Sequence, residues 1–240
     1  AYSNWQYNYS KDSNSKGELG YSRFDIPHRI SLQASYTTPK YLNGWMSTTV
    51  GITYNASPGG RYSLSYDDAK DFNGDGSRGT TLLYIPTDKE LEDMNFVDNF
   101  DKQGNLIMSK EESREAFRQW ILNDDYAKNH RGQFAERNSN LTKWEHEINL
   151  HVAQDIFYLK ERGSKIQVTF DVINFANMLN KKWGANYYLP YNLTPVTVSG
   201  STNADGILVP EYTFKDQSNV LTKNDISSRW HCQVGVRLTF

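Results

Sequence analysis

Residues Trp230–Phe240 read WHCQVGVRLTF and alternate without a break. Trp230, Cys232, Val234, Val236, Leu238 and Phe240 fall on one parity, and His231, Gln233, Gly235, Arg237 and Thr239 on the other. Shuffling the apolar residues among these positions produces that sorting roughly once in 460 arrangements, so the period of two marks a strand with one apolar and one polar face.

Four earlier segments carry the same period. HRISLQASYT sets Ile30, Leu32, Ala34 and Tyr36 against Arg29, Ser31, Gln33, Ser35 and Thr37. WMSTTVGITY sets Met46, Val50, Ile52 and Tyr54 against Ser47, Thr49, Gly51 and Thr53, with Thr48 a polar exception on the apolar side. WEHEINLHVA sets Trp144, Ile148, Leu150 and Val152 against Glu145, Glu147, Asn149 and His151, with His146 the exception. KIQVTFDVIN sets Ile166, Val168, Phe170 and Val172 against Lys165, Gln167, Thr169 and Asp171. Each runs for about ten residues, the length a tilted strand needs to cross a bilayer.

Soluble sandwich strands are shorter but alternate in the same way, so the connections decide. Strands one and two are joined by PKYLNG, and three and four by YLKERGS, both short, polar and supplied with turn residues. About ninety residues separate strands two and three, and more than fifty separate four and five, lengths that are uncommon inside a compact soluble domain. Short turns at one end and long loops at the other are the pattern of outer-membrane barrels, whose short turns are periplasmic. Aromatics mark both ends: Tyr54, Trp144 and Trp230 at the long-loop ends, and Tyr36, Trp45, Phe157 and Phe240 at the short-turn ends. They predict two interfacial girdles, with Phe240 at the periplasmic rim. The opposite parity carries Arg29, Glu145, Glu147, His151, Lys165, Asp171, His231 and Arg237, which a dry core excludes and a wet lumen tolerates.

The predicted fold is therefore all-β, a transmembrane antiparallel β-barrel to which residues 1–240 contribute about five or six C-terminal strands. Five strands do not close a barrel, so the rest of the wall is expected from other sequence. The chain starts AYSNWQYNYS, with neither an initiating Met nor a signal peptide, so it is read as a piece of a longer polypeptide with its targeting signal upstream.

Composition agrees. Apolar residues make up only 38% of the chain, fewer than a soluble core usually uses, yet they are regularly placed. The net charge of −2, with both signs dispersed, argues against nucleic acid as a partner. The single cysteine, Cys232, excludes an internal disulfide framework; on the apolar parity it reads as a small hydrophobe.

The first long loop contains a helix signal in SKEESREAFRQWIL: Ser109 and Glu112 form a capping box, and Ala116, Phe117, Trp120 and Ile121 form an apolar stripe. That stripe is expected to pack within the loop. In DFNGDGSRG, Asp71, Asn73, Asp75 and Gly76 match the first half of a calcium loop, but the twelfth position is Leu82 where a bidentate acid belongs. A turn closed by Asx hydrogen bonds competes with calcium there. No nucleophile elbow or phosphate loop is present, and HEINLH places His146 and His151 on opposite faces of a strand, so no enzyme is expected.

Several stretches taken in order resemble the C-terminal part of the Oar-like branch of TonB-dependent outer-membrane receptors of Bacteroidota. They are RFDIPHRI, SPGGRYS with DFNGDGSRGTTLLYIP, HRGQFAERN before Trp144, DVINFANMLNKKWG, and the strand ending in Phe240. Thr80 and Thr81 stand where that family often has Asn-Asp. The resemblance implies a 22-strand barrel in the bacterial outer membrane, with extracellular long loops and a periplasmic C-terminus. It also implies an N-terminal plug outside these residues, often preceded by a carboxypeptidase-regulatory-like domain, and energisation by the TonB complex. Under the resemblance Phe240 belongs to the outer-membrane assembly signal, and a surface lipoprotein or lid is a further partner. The expected function is uptake of a ligand through a plugged lumen. Tyr62, Tyr66, Tyr187, Tyr188 and Tyr191 could offer aromatic contact to a carbohydrate or peptide, or pack on one another. Two other readings compete: an outer-membrane structural or adhesion protein whose loops bind a surface partner without import, and a soluble β-sandwich carbohydrate-binding module.

Overall fold

The computed structural model describes residues 7–12, 19–68, 70–159, 164–189, 192–218 and 220–240. The chain divides into two compact units. One comprises Ile26–Gly59, Thr142–Tyr188 and Thr222–Phe240, and the other Ala1–Asp25, Gly60–Leu141 and Leu189–Leu221. Among the described residues no helix is long and apolar enough to cross a membrane.

The first of these is built on an antiparallel meander: β1 (Ile30–Thr37), β2 (Met46–Pro58), β3 (Trp144–Leu159), β4 (Ser164–Ile173) and β5 (His231–Thr239), hydrogen-bonded in that order. All five segments with a period of two are strands, and the all-β class holds. The sheet is open, since β1 and β5 each pair on one side only among the described residues. β2 and β3 run in unbroken register from Trp144↔Pro58 to Ile156↔Met46, which spans roughly 40 Å along the strand. The β1–β2 turn closes through Leu42, Asn43 and Gly44, all at positive φ. The turn expected between β3 and β4 falls on residues 160–163, which lie outside the described residues.

The two faces differ as the parity predicts. Leu32, Ile52, Phe170, Val234, Val236 and Leu238 all stand exposed, where a water-soluble protein would cover them. Polar exceptions on this face are paired. Tyr41 and Thr48 hydroxyls donate to Gln154 Oε1 at 2.9 and 2.7 Å, and His146 Nδ1 lies 2.8 Å from the Tyr54 hydroxyl. One expected girdle residue is misplaced: Phe157 lies on the polar parity and is only 9% exposed, with Lys40 Nζ 4.1 Å above its ring. Two lysine ammoniums hold the ring by cation–π attraction and shield it from water. Its neighbour Tyr158 is the exposed aromatic at that strand end.

The excursion after β4 is fixed by side-chain clamps. Asn174 adopts a left-handed conformation before the helix Phe175–Leu179, and its Nδ2 donates to the carbonyls of Gly184 and Ser228 at 2.8 and 3.0 Å. Gly184, at φ +57°, would place a Cβ 1.9 Å from Asn174 Oδ1, so the close approach requires glycine. Asn177 Nδ2 donates to the carbonyls of Lys181 and Trp183. The DVINFANMLNKKWG stretch is thus a polar knot.

The second unit has a dry core of its own. Helices α1 (Asp88–Asp93) and α2 (Lys110–Asn123) each start with a complete capping box, Thr87 with Glu90 and Ser109 with Glu112. α2 buries Phe117 and Ile121 fully against a cluster that includes Leu64, Leu83, Ile85, Leu91 and Val196. Each such side chain contributes roughly 1.5–3 kcal/mol by burial. The expected stripe packs inside the loop-derived unit, with Trp120 partly buried at its edge. The hairpin Val196–Thr202 with Leu208–Phe214, joined in parallel by Asp67–Asp68, completes the framework.

Candidate functional site

Each unit gathers functional side chains in its own way. On the polar face of the sheet, register sets His151 opposite Asp171, with imidazole Nδ1 2.5 Å from Asp171 Oδ1. Lys165 Nζ donates to Asp155 Oδ2 at 2.7 Å, and Gln167 Nε2 to Asp155 Oδ1 at 2.9 Å. Asn149 joins two elements, donating to Glu147 Oε1 at 2.7 Å and accepting from the Asn174 amide at 2.8 Å. Arg29, Glu145 and Glu147 line one recess of ≈ 290 Å³ with Asn55 and Ser57, while His231 lies exposed on β5. Charges of both signs, two pairs of them in ion contact, form a hydrophilic wall without a strong field of one sign.

In the loop-derived unit, Tyr66, Phe72, Tyr84, Phe134 and Tyr212 line a recess of ≈ 320 Å³, within the size range of small-molecule clefts. The core positions its walls. Tyr84 meets Phe134 edge-on at 5.1 Å, and Tyr66 lies 6.3 Å from Tyr212. Glu90, which caps α1, also accepts from the Tyr84 hydroxyl at 2.7 Å. Hydrogen bonds from the Thr87 backbone, then from Tyr84, hold the Glu90 carboxyl below its ordinary range. The same bond pushes the Tyr84 phenol up, so at neutral pH it remains a neutral donor beside a carboxylate. Burial raises Tyr66 and Tyr212 too.

The tyrosines that could offer aromatic contact or pack on one another are divided between the two units. Tyr66 is a recess wall, and Tyr62 packs on the core with its phenol pushed up to about 12 by burial. Tyr187 and Tyr188 belong to the sheet unit, paired with Lys223 and Thr222, and Tyr191 lies outside the described residues. Phe240 is fully exposed.

Asp71, Asn73 and Asp75 do share one turn. Asp71 accepts from the amides of Asp75 and Gly76 at 3.1 and 2.8 Å, and Asp75 Oδ1 accepts from the Ser77 amide at 2.7 Å. Asp75 Oδ2 accepts from Asn73 Nδ2 and Thr80 Oγ1, each at 2.9 Å. These oxygens close an Asx turn, and among the described residues no group of three or more His, Cys, Asp or Glu side chains is disposed to hold a metal. Thr80 and Thr81 have a use here: Thr80 ties off Asp75, and Thr81 Oγ1 donates to the buried Asp68 at 2.7 Å.

Sequence reasoning missed the Thr87–Glu90 capping box, although TDKE carries its spacing. It also missed the Asn174 clamp and the aromatic recess, whose walls come from distant parts of the chain. The chain matches no protein-family model, no curated protein and no solved structure, so its functional reading rests on geometry and sequence pattern.

Proposed function

We propose that the chain supplies β1–β5 to the wall of an outer-membrane β-barrel receptor of the TonB-dependent type. In this reading the apolar face meets lipid, the polar face lines a plugged lumen, and the loop-derived unit captures the ligand outside the cell. The observation that carries it is the sheet's division into an exposed apolar face and a hydrogen-bonded polar one. A sheet edge in lipid must be paired, so β1 and β5 would join further strands of a barrel of the 22-strand class. The paired charges on the polar face would keep the lumen wet, and a plug drawn aside by TonB would open a path past them. Phe240 would sit at the periplasmic rim as part of the assembly signal.

The experiment is fractionation and capture with the full-length protein. It should fractionate with the outer membrane, migrate faster in gels before heating than after, and bind the isolated periplasmic domain of TonB. A heat-modifiable outer-membrane protein that ignores TonB would support a structural or adhesive role, and a detergent-independent soluble monomer would overturn both.

A further inference from the structure

Tyr7, Tyr9, Tyr21, Arg23, Arg137 and Asn138 line a second recess of the loop-derived unit, of ≈ 420 Å³. The aromatic recess has Glu90 in its wall, whereas no carboxylate lines this one. Among the described residues neither the Arg23 nor the Arg137 guanidinium is hydrogen-bonded or ion-paired. Asp25, close to Arg23 in sequence, is already taken: Arg61 donates to its Oδ2 from Nε at 2.9 Å and from Nη2 at 2.7 Å.

That same buried pair fixes the walls. The Arg61 guanidinium carbon lies 4.1 Å from the centre of the Tyr21 ring, and its Nη1 donates to the Asn138 carbonyl at 3.0 Å. Asn138, left-handed at φ +55°, donates from Nδ2 to the Tyr21 carbonyl at 2.8 Å. Arg137 is half-buried and passes over Gly20, where an added Cβ would stand 3.0 Å from its Nε. The Arg23 charge is felt on the opposite wall: burial pushes the Tyr9 phenol up, and Asn192 and then Arg23 draw it back down.

A guanidinium keeps its charge at every physiological pH, so the recess stays doubly positive. Like charges in one cleft repel, and a cleft lined by one sign of charge concentrates ions of the other. Guanidinium forks pair bidentately with carboxylate and phosphate oxygens, and phenol hydroxyls supply further donors beside them. A neutral or cationic ligand would leave both arginines unanswered.

We propose that this recess binds the oxyanion of an acidic ligand, a carboxylate or a phosphate, with the Arg23 and Arg137 guanidiniums as its partners. Its role in uptake rests on the receptor reading, whereas the binding chemistry rests on the recess alone.

The test is calorimetry on the full-length protein purified in detergent at low ionic strength, with glutarate, inorganic phosphate and the neutral isostere glutaramide as probes at millimolar concentration. Glutarate or phosphate should bind, the tighter of the two identifying the group recognised, and glutaramide should not. Added salt should weaken the binding by screening. Arg23→Gln and Arg137→Gln should each weaken it at least about 10-fold, the effect of one lost charge-assisted hydrogen bond. Both variants should keep the unit's resistance to proteolysis, because neither guanidinium has a partner to lose among the described residues. If Arg137→Gln opens the unit, Arg23→Gln, on an exposed side chain, decides. Arg78→Gln, at an exposed arginine outside the recess, should bind like the parent. The proposal is overturned if neither anion binds, if glutaramide binds as tightly as glutarate, if Arg23→Gln or Arg137→Gln binds like the parent, or if Arg78→Gln weakens binding as much as they do. Outer-membrane fractionation of the same protein is scored separately. A receptor in the right membrane that binds neither anion defeats this inference alone, and an anion-binding protein found elsewhere defeats the receptor reading alone.

Discussion

The two units use apolar residues in opposite ways. In the sheet, Val234, Val236 and Leu238 face outward and stay exposed, while His151, Asp171, Asp155 and Lys165 pair on the other side. In the loop-derived unit, Phe117, Leu83, Ile85 and Val196 are fully enclosed, and the buried charged residues Arg61 and Asp68 are each hydrogen-bonded to a neighbour. The sheet leaves its apolar side uncovered, whereas the other unit encloses a dry interior of its own. Stability should therefore respond to different insults in each.

The largest effect is expected in the enclosed core. Phe117→Ala should destabilise the loop-derived unit by about 3–5 kcal/mol through lost burial and a residual cavity, read as a drop in its urea midpoint with the sheet signal unchanged. On the sheet, Val234→Arg and Leu150→Arg should each cost about 2–4 kcal/mol if these positions sit at the bilayer midplane. Gln233→Arg, on the neighbouring parity, should be far milder in the same assay. Equal costs at positions 233 and 234 would erase the distinction between faces.

Smaller effects come from caps and titrating groups. Ser109→Ala should cost about 1 kcal/mol by removing the α2 cap, measurable as faster amide exchange in the first turn. Burial raises the Tyr62 phenol to about 12 from its ordinary 10. The folded state thus holds this proton more tightly, and the stability it contributes is complete below pH 10 and lost as pH rises through about 12. The loop-derived unit should loosen over that window, followed by the absorbance of ionising tyrosine, and Tyr62→Phe should reduce the loss. Least of all, chelation with EGTA should leave the Asp71–Asp75 turn's proteolytic susceptibility unchanged, because its oxygens already serve the turn's own donors.

The contrast between units also explains what the sequence reveals. A strand with one apolar and one polar face writes its structure into local parity, so β1 to β5 and the sorting of their side chains are readable from neighbours two residues apart. Phe157 breaks the girdle pattern because Lys40 and its cross-strand partner Lys165 cover it, although its own parity already pointed to the polar face. The enclosed core obeys no such local rule. Leu64 pairs with Leu193, and Asn174 clamps the carbonyl of Ser228, contacts between residues far apart in the chain. The α2 helix was legible because its cap and stripe are local. The aromatic recess was not, since Tyr66, Tyr84, Phe134 and Tyr212 come from separate parts of the chain and converge only after the core has formed.

If adjacent residues of β5 face different solvents, site-directed spin labels at neighbouring positions will report it. In a Cys232→Ser background, single cysteines at positions 233 and 234 would be labelled in the full-length protein in bilayers, and their collision rates with oxygen and with a water-soluble nickel chelate compared. Oxygen access and nickel exclusion are expected at 234, with nickel access at 233. The same solvent at both positions, or the reverse assignment, would contradict this expectation.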